Sequence, residues 1–191
     1  KSLEAKNLGC TGSSGGATEY NTPSNWSLGS MGGYFTYAEV MAHLDNMAAL
    51  YPSLITTKAP IGSFQTYESR PIYWLRMSDN ASTDEAEPEM LYSAIHHARE
   101  PACLSQLIFY MWYLLENYGS NSEVTAILDN TELYFVPLVN PDGYVYNEVN
   151  DPSGGGMWRK NRRNNGGGDY GVDNNRNYSY EWGTTGISTN P

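Results

Sequence analysis

The sequence predicts an α/β layered domain on three observations. Apolar runs of strand length lie at residues 72–77, 90–95 and 133–139, helix-period segments stand before and between them, and Gly, Pro and Asn clusters separate the pieces. Order begins at Phe35-Thr36-Tyr37-Ala38-Glu39, where Thr36 and Glu39 have capping-box spacing and Phe35 can staple onto Val40. Val40, Leu44, Met47 and Tyr51 then share one helical face until Pro52 stops the run. His43 lies in this helix and reads as a packed or solvent-facing side chain. After Pro71, Ile72, Trp74 and Arg76 alternate with Tyr73, Leu75 and Met77, as in a strand. Residues 90–95 are more continuously apolar, which predicts a more central strand. Residues 102–118 are apolar on most faces, with Pro101 at the start and Gly119 at the stop, and predict a buried helix. A short helix is expected over 122–129, then a third strand over 133–139 closed by the turn Asn140-Pro141-Asp142-Gly143. Beyond Tyr146 the pattern dissolves into Gly-rich loops, the kind of long irregular connection that usually carries function.

Composition narrows the class. With 11 Lys+Arg against 21 Asp+Glu the net charge is −10, which argues against nucleic acid and anionic membrane as partners. The 191 residues include 16 Tyr and 5 Trp, enough apolar area for one compact core. No run reaches the roughly 18 apolar residues of a membrane span, and Lys1-Ser2-Leu3-Glu4 has no apolar signal core, so a mature or trimmed chain is expected. Cys10 and Cys103 allow at most one internal bridge, which excludes a disulfide framework and a four-cysteine zinc site. Sparse charge with abundant Gly, Asn, Ser and Tyr suits a secreted, extracellular protein. Asn-x-Ser sequons at Asn25, Asn80 and Asn177 are of the frequency that so Asn-rich a chain produces by chance. Residues 1–33 are rich in Gly, Ser, Thr and Asn without a period and read as an extended arm, leaving 34–191 as the domain.

At the junction of the second strand and the long helix, His97 and Glu100 stand three residues apart, close enough for both to reach one cation at about 2.0–2.2 Å. Open catalytic zinc commonly takes two His and one Glu plus water; the ion then lowers the pKa of that water and polarises a carbonyl. The competing reading is a helix-start pair with Glu100 favoured by the helix dipole. Charge placement favours a site: Arg159, Lys160, Arg162, Arg163 and Arg176 fall within 18 positions of an otherwise acidic chain. The arginine fork matches a carboxylate through two hydrogen bonds, so Arg176 with Asn175 can hold a free α-carboxylate while Arg159 addresses the reacting carbonyl. Lys160, Arg162 and Arg163 read as a solvated face.

The ordered segments His97-Ala98-Arg99-Glu100, Asn140-Pro141-Asp142-Gly143-Tyr144, Trp158-Arg159-Lys160-Asn161-Arg162 and Asp173-Asn174-Asn175-Arg176-Asn177-Tyr178 together resemble the zinc metallocarboxypeptidases of the carboxypeptidase A/B family, most of all the secreted bacterial carboxypeptidase T type. The similarity runs from about Tyr34 to Gly183. It implies a mixed, twisted β-sheet flanked by helices and incomplete at its C-terminal side. It also implies that His97 and Glu100 bind zinc, that Arg159 stabilises the tetrahedral oxyanion, that Asn175 and Arg176 grip the terminal carboxylate, and that Arg99 assists substrate approach. An oxyanion donor of this kind is worth on the order of 2.7–4 kcal/mol of transition-state stabilisation. The family's third zinc ligand, general base and capping tyrosine have no counterpart after Arg176, so this chain is expected to be the N-terminal portion of a catalytic domain that pairs with its remainder.

A second cluster, Asp79, Asp84, Glu85, Glu87 and Glu89, places five carboxylates in eleven residues, and hard oxygen donors at that density suit Ca²⁺. The same segment resembles the calcium-binding region of the carboxypeptidase T type, which makes Asp84, Glu85, Glu87 and Glu89 candidate calcium ligands; a solvated acidic loop is the alternative. The expected activity is zinc-dependent removal of single residues from peptide and protein C-termini. Its rivals are a zinc amidohydrolase acting on N-acyl amino acids and a non-catalytic calcium-dependent binding module.

Overall fold

The computed structural model describes residues 20–180 and 182–184. Cys10 and most of the expected arm lie outside the described residues. The elements run α1 (Tyr37–Leu50), β1 (Ala59–Pro60), β2 (Tyr73–Met77), β3 (Glu89–Ser93), α2 (Pro101–Asn117), α3 (Ser122–Leu128), β4 (Glu132–Val136), α4 (Pro141–Asn150), β5 (Asn164–Gly166) and β6 (Asp169–Tyr170), ending in a 3₁₀ turn at Asn174–Arg176. Four strands form one sheet in the order β1-β2-β4-β3, and β5 pairs with β6 as a separate hairpin. The larger sheet is mixed: β2 runs antiparallel to β4 (Leu75 opposite Phe135), whereas β3 runs parallel to it (Leu91 opposite Tyr134). Parallel β3 and β4 need a long crossover, supplied by α2 and α3.

Local chemistry accounts for the boundaries. Thr36 accepts from the Glu39 amide while Glu39 reaches back to the Thr36 amide at 2.7 Å, a complete capping box. Val40, Leu44 and Met47 of α1 and Leu104, Ile108, Met111 and Trp112 of α2 pack with Leu75, Met77, Leu133 and Phe135 of the sheet in one core. Residues 20–34 lie against this body: Trp26 meets Phe35 and Phe109 edge-on, and Glu116 accepts from the amides and side chains of Ser24 and Asn25.

Two expectations are corrected. The continuously apolar segment at 90–95 forms not a central strand but the edge of the described sheet, where Met90 and Leu91 remain exposed. Met90 and Leu91 are adjacent and so project to opposite faces of the strand, and no described element covers either side chain. The turn expected at 140–143 is instead the start of α4, with Asn140 as N-cap accepting from the Gly143 amide and Pro141 in the first turn. Asn-Pro-Asp-Gly satisfies both a turn and a helix start, and the polar body of α4 lacks the apolar period that would have separated them.

Candidate active site

The path from β3 to α2 passes through Ile95, a fully buried β-branched residue at φ 54°. That left-handed backbone costs on the order of 1–3 kcal/mol and persists only where the surroundings fix it. They do: the Ile95 carbonyl accepts from the Asn140 amide at 3.0 Å, and the Ala94 carbonyl accepts from Val139. The bend ends the strand and leads directly into His96 and His97.

The imidazole of His97 is held from both sides. Its Nδ1 lies 2.9 Å from Glu100 Oε1, and its Nε2 lies 3.1 Å from Asp173 Oδ1. Asp173 Oδ2 accepts from Arg159 Nε at 2.9 Å, and an Arg159 Nη stands 3.7 Å from Glu100 Oε1. Glu100 is the N-cap residue of α2 but makes no side-chain cap, so its carboxylate serves the imidazole rather than the helix. Burial alone would raise the Asp173 carboxyl; the Arg159 hydrogen bond and charge, with His97 nearby, overcome it and hold the group below its ordinary value. Asp173 therefore stays anionic and offers an acceptor for a proton on Nε2; with the proton there, the Nδ1 lone pair would be free for a cation shared with Glu100. One nitrogen and one carboxylate oxygen converging in this way, with a carboxylate behind the imidazole, is a donor set that fits zinc.

The loop that carries Arg159 has no regular structure and is fixed by asparagines. Asn147 brackets Trp158, accepting from its amide and donating to its carbonyl, both at 2.9 Å. Asn140 donates to the Lys160 carbonyl at 3.0 Å, Asn161 Oδ1 accepts from the amides of Arg163 and Val172, and the Arg159 carbonyl accepts from Ala98. Gly143 permits the approach: a Cβ there would lie 2.5 Å from the Lys160 carbonyl oxygen and 2.9 Å from the Ala98 Cβ. Below this, the buried Asp142 accepts from the Thr66 hydroxyl at 2.7 Å, the Glu68 amide at 3.0 Å and Arg70 at 2.8 Å, binding the 66–70 turn to α4.

The structure places His97, Glu100 and Arg159 together around Asp173. Asn175 and Arg176 follow Asp173 in the 3₁₀ turn and are exposed; the Arg176 guanidinium donates to the Asn175 carbonyl at 3.0 Å. Arg99 is exposed and lines a separate cavity of about 220 Å³ with Met31, Tyr34 and the Gly154–Gly156 segment. His96 meets the Tyr178 hydroxyl at 2.6 Å, and the half-buried His43 accepts from Trp112 Nε1 at 3.0 Å beside Phe35, the packed one of the two alternatives expected of it. Arg162, read from sequence as solvated, is instead largely buried among aromatic rings, because Tyr146 and Trp158 supply a face that a linear reading does not reveal. Of the acidic cluster, Asp84 and Glu89 gather with Glu132 so that one oxygen from each lies within 4.8 Å of the others. Glu85 and Glu87 fall outside that group. Glu85 contributes its backbone amide to Glu132, which also carries the buried ion pair with Arg76 at 3.2 Å.

A mixed sheet that delivers an imidazole and a carboxylate at the mouth of a helix, beside a carboxylate-anchored arginine, offers donors suited to a metal ion with a cationic side chain next to them. Residues 40–191 match the zinc carboxypeptidase family model, and the chain belongs to that family. It is 33% identical over 156 residues to a zinc carboxypeptidase of Saccharothrix mutabilis subsp. capreolus, covering 81% of this chain and 34% of that protein. It is also 33% identical over 161 residues to mouse carboxypeptidase A2, covering 84% and 36%. Among solved structures, carboxypeptidase A from Helicoverpa armigera superposes with a TM-score of 0.69 at 29% identity, covering 84% of this chain and 37% of that one. The chain thus spans about a third of the length of the curated relatives it matches. No helix among the described residues is long and apolar enough to cross a membrane.

Proposed function

We propose that the polypeptide carrying this chain is a secreted, zinc-dependent exopeptidase that hydrolyses the C-terminal peptide bond of peptides and proteins. The observation that carries this reading is His97 clamped between Glu100 and Asp173, with Arg159 on the same carboxylate. His97 Nδ1 and Glu100 would hold the zinc, which when bound supplies a Lewis acid that polarises a carbonyl and acidifies water. Asp173 orients His97 and takes up the Arg159 Nε, which leaves the Arg159 Nη groups for the developing oxyanion. Arg176 and Asn175, exposed beside this centre, offer the planar fork and amide that a free α-carboxylate requires, and so set the exopeptidase register. Arg99 assists the approach of substrate.

The third zinc ligand, the general base and a capping tyrosine are assigned to the remainder of the catalytic domain. The outer edge of β3, unpaired among the described residues and with Met90 and Leu91 exposed, supports that assignment, since such an edge is a template for further chain. Residues 34–191 are proposed as the N-terminal portion of the domain, with 20–33 packed on it through Trp26 and Met31. The sparse charge of the chain supports secretion. A calcium ion is proposed at Asp84, Glu89 and Glu132, competing with Arg76 for Glu132. Thermal denaturation of the whole polypeptide should shift upward with millimolar Ca²⁺, and Glu89→Gln should abolish that shift; no shift in the parent protein would exclude the site.

Arg176→Ala tests the central assignment. It should weaken KM for peptides with free C-termini by at least tenfold while leaving the weak turnover of amidated peptides unchanged; equal losses on both would remove Arg176 from the carboxylate site.

A further inference from the structure

Three aromatic rings from three different parts of the chain surround one guanidinium. The Cζ of Arg162 lies 3.9 Å from the ring centroid of Tyr146 on α4, 4.6 Å from that of Trp158, and 4.7 Å from that of Tyr170 in the β5–β6 hairpin. The side chain retains 13% of its exposure, and its Nε approaches Glu68 Oε1 at 3.4 Å. Glu68 belongs to the turn that Asp142 anchors, and it also binds Arg70 at 2.6 Å. Arg162 is therefore the meeting point of α4, the hairpin, the 66–70 turn and the irregular loop that presents Arg159 three residues earlier.

We propose that Arg162 is a positioning residue for Arg159, holding the 158–162 loop by a cation enclosed in the Tyr146, Trp158 and Tyr170 rings. The inference rests on the exopeptidase reading for its kinetic consequence, since Arg159 acts there on the developing oxyanion. Three observations support it. The loop lies outside the named strands, and its backbone bonds are single ones, Ala98 to the Arg159 carbonyl and Asn161 to the Val172 carbonyl, with Gly171 to the Arg163 carbonyl beyond it, so side chains complete its fixing. Trp158, one of the enclosing rings, is the residue immediately before Arg159, so a shift of the cation against that ring moves the backbone that carries the guanidinium. The cage also ties this loop to the hairpin that leads back through Gly171 and Val172 to Asp173, the carboxylate that holds both Arg159 Nε and His97 Nε2. A cation over aromatic faces is attracted by the ring quadrupole, and the attraction strengthens when water is excluded. An apolar replacement keeps the volume and loses that attraction.

The test uses the complete zinc-loaded polypeptide with Arg162→Met and Arg162→Lys, each compared with the parent for kcat and KM on a peptide with a free C-terminus. Displacement of an oxyanion donor by about 1 Å costs up to about a hundredfold. Arg162→Met should therefore lose about 10–100-fold in kcat, with KM within about twofold. Arg162→Lys, which keeps a cation in the cage, should recover at least half of that loss on a logarithmic scale. A second readout is independent of turnover: the ¹⁵N–¹H resonance of Arg159 Nε, assigned by its loss in Arg159→Lys, should move or broaden in Arg162→Met and return toward the parent position in Arg162→Lys. Parental kcat in Arg162→Met, a loss confined to KM, or an Arg159 Nε signal unchanged in Arg162→Met would overturn the proposal. A parent protein without exopeptidase turnover would instead overturn the exopeptidase reading, and the Nε resonance would then decide the positioning role alone. Should Arg162→Met not fold, Arg162→Lys must keep kcat within about tenfold of the parent and the Nε signal near its position, and failure on either count overturns the proposal.

Discussion

Replacing Asp173 by Asn probes the centre with little change of shape. The carboxylate makes three contacts: Oδ1 to His97 Nε2 at 3.1 Å and to the Asn175 amide at 3.0 Å, and Oδ2 to Arg159 Nε at 2.9 Å. All three partners are donors, and an amide keeps one acceptor oxygen while placing an NH₂ group against one of them. A charge-assisted hydrogen bond contributes about 1.5–3 kcal/mol. Asp173 retains 19% of its side-chain exposure, so water recovers part of this, and the lower portion, about 1.5–2 kcal/mol, is the working figure. At 1.4 kcal/mol per decade, zinc affinity should fall about 10–30-fold, within the range known for losing the group behind a metal-bound imidazole. Chelator competition at fixed pH on the complete polypeptide measures it. A zinc Kd within twofold of the parent, in a variant that still unfolds at the parental temperature, would refute the role given to Asp173.

Asp142→Ala removes the anchor of the 66–70 turn, leaving the Thr66 hydroxyl and the Glu68 amide without their acceptor while Arg70 keeps Glu68; at about 1–3 kcal/mol per unsatisfied group, roughly 3 kcal/mol of stability should go, read by urea unfolding, and a loss under about 1 kcal/mol would contradict the anchoring role. Burial pushes the His43 pKa down, with Glu39 opposing, so the folded state takes up a proton less readily than the unfolded chain. The stability that neutral His43 contributes is then complete above the ordinary imidazole value of about 6.5 and is lost as pH falls toward its lowered folded value. His43→Asn keeps an acceptor for Trp112 without titrating, so it should flatten the decline that sets in as pH falls below about 6.5; an unchanged slope in urea titrations would remove His43 as its source. The depressed Asp173 pKa acts at lower pH: its stabilisation is present above the ordinary carboxylate range and is lost as pH falls through its folded value, a step that Asp173→Asn should erase from the acid-unfolding profile.

What could be read from the sequence was whatever local rules decide. The capping box of Thr36 and Glu39, the apolar face of α1 and the Pro101-to-Gly119 span of α2 need only neighbours along the chain, and each formed within a residue or two of expectation. His97 with Glu100 was visible because a three-residue spacing at a helix start brings both into reach of one ion. The partner of His97 was not, because Asp173 lies 76 residues away and reaches it only after the hairpin folds back. Its signal was present as a carboxylate adjoining the Asn-Asn-Arg segment within a basic stretch. Asn140 and Asn147 were also missed as supports: their work is to satisfy backbone groups of a loop eleven to twenty residues away, and no periodicity encodes it. The position of β3 could not be read either, since an apolar run looks the same whether a further strand covers it or not.

The central claim is that one zinc ion is bound through His97 and Glu100. Diffraction from the complete polypeptide at wavelengths on both sides of the zinc absorption edge measures it directly. The account predicts one anomalous peak per chain at bonding distance from His97 Nδ1 and a Glu100 oxygen, with Asp173 on the far nitrogen; zinc absent at stoichiometric loading, or a peak away from His97, would contradict it.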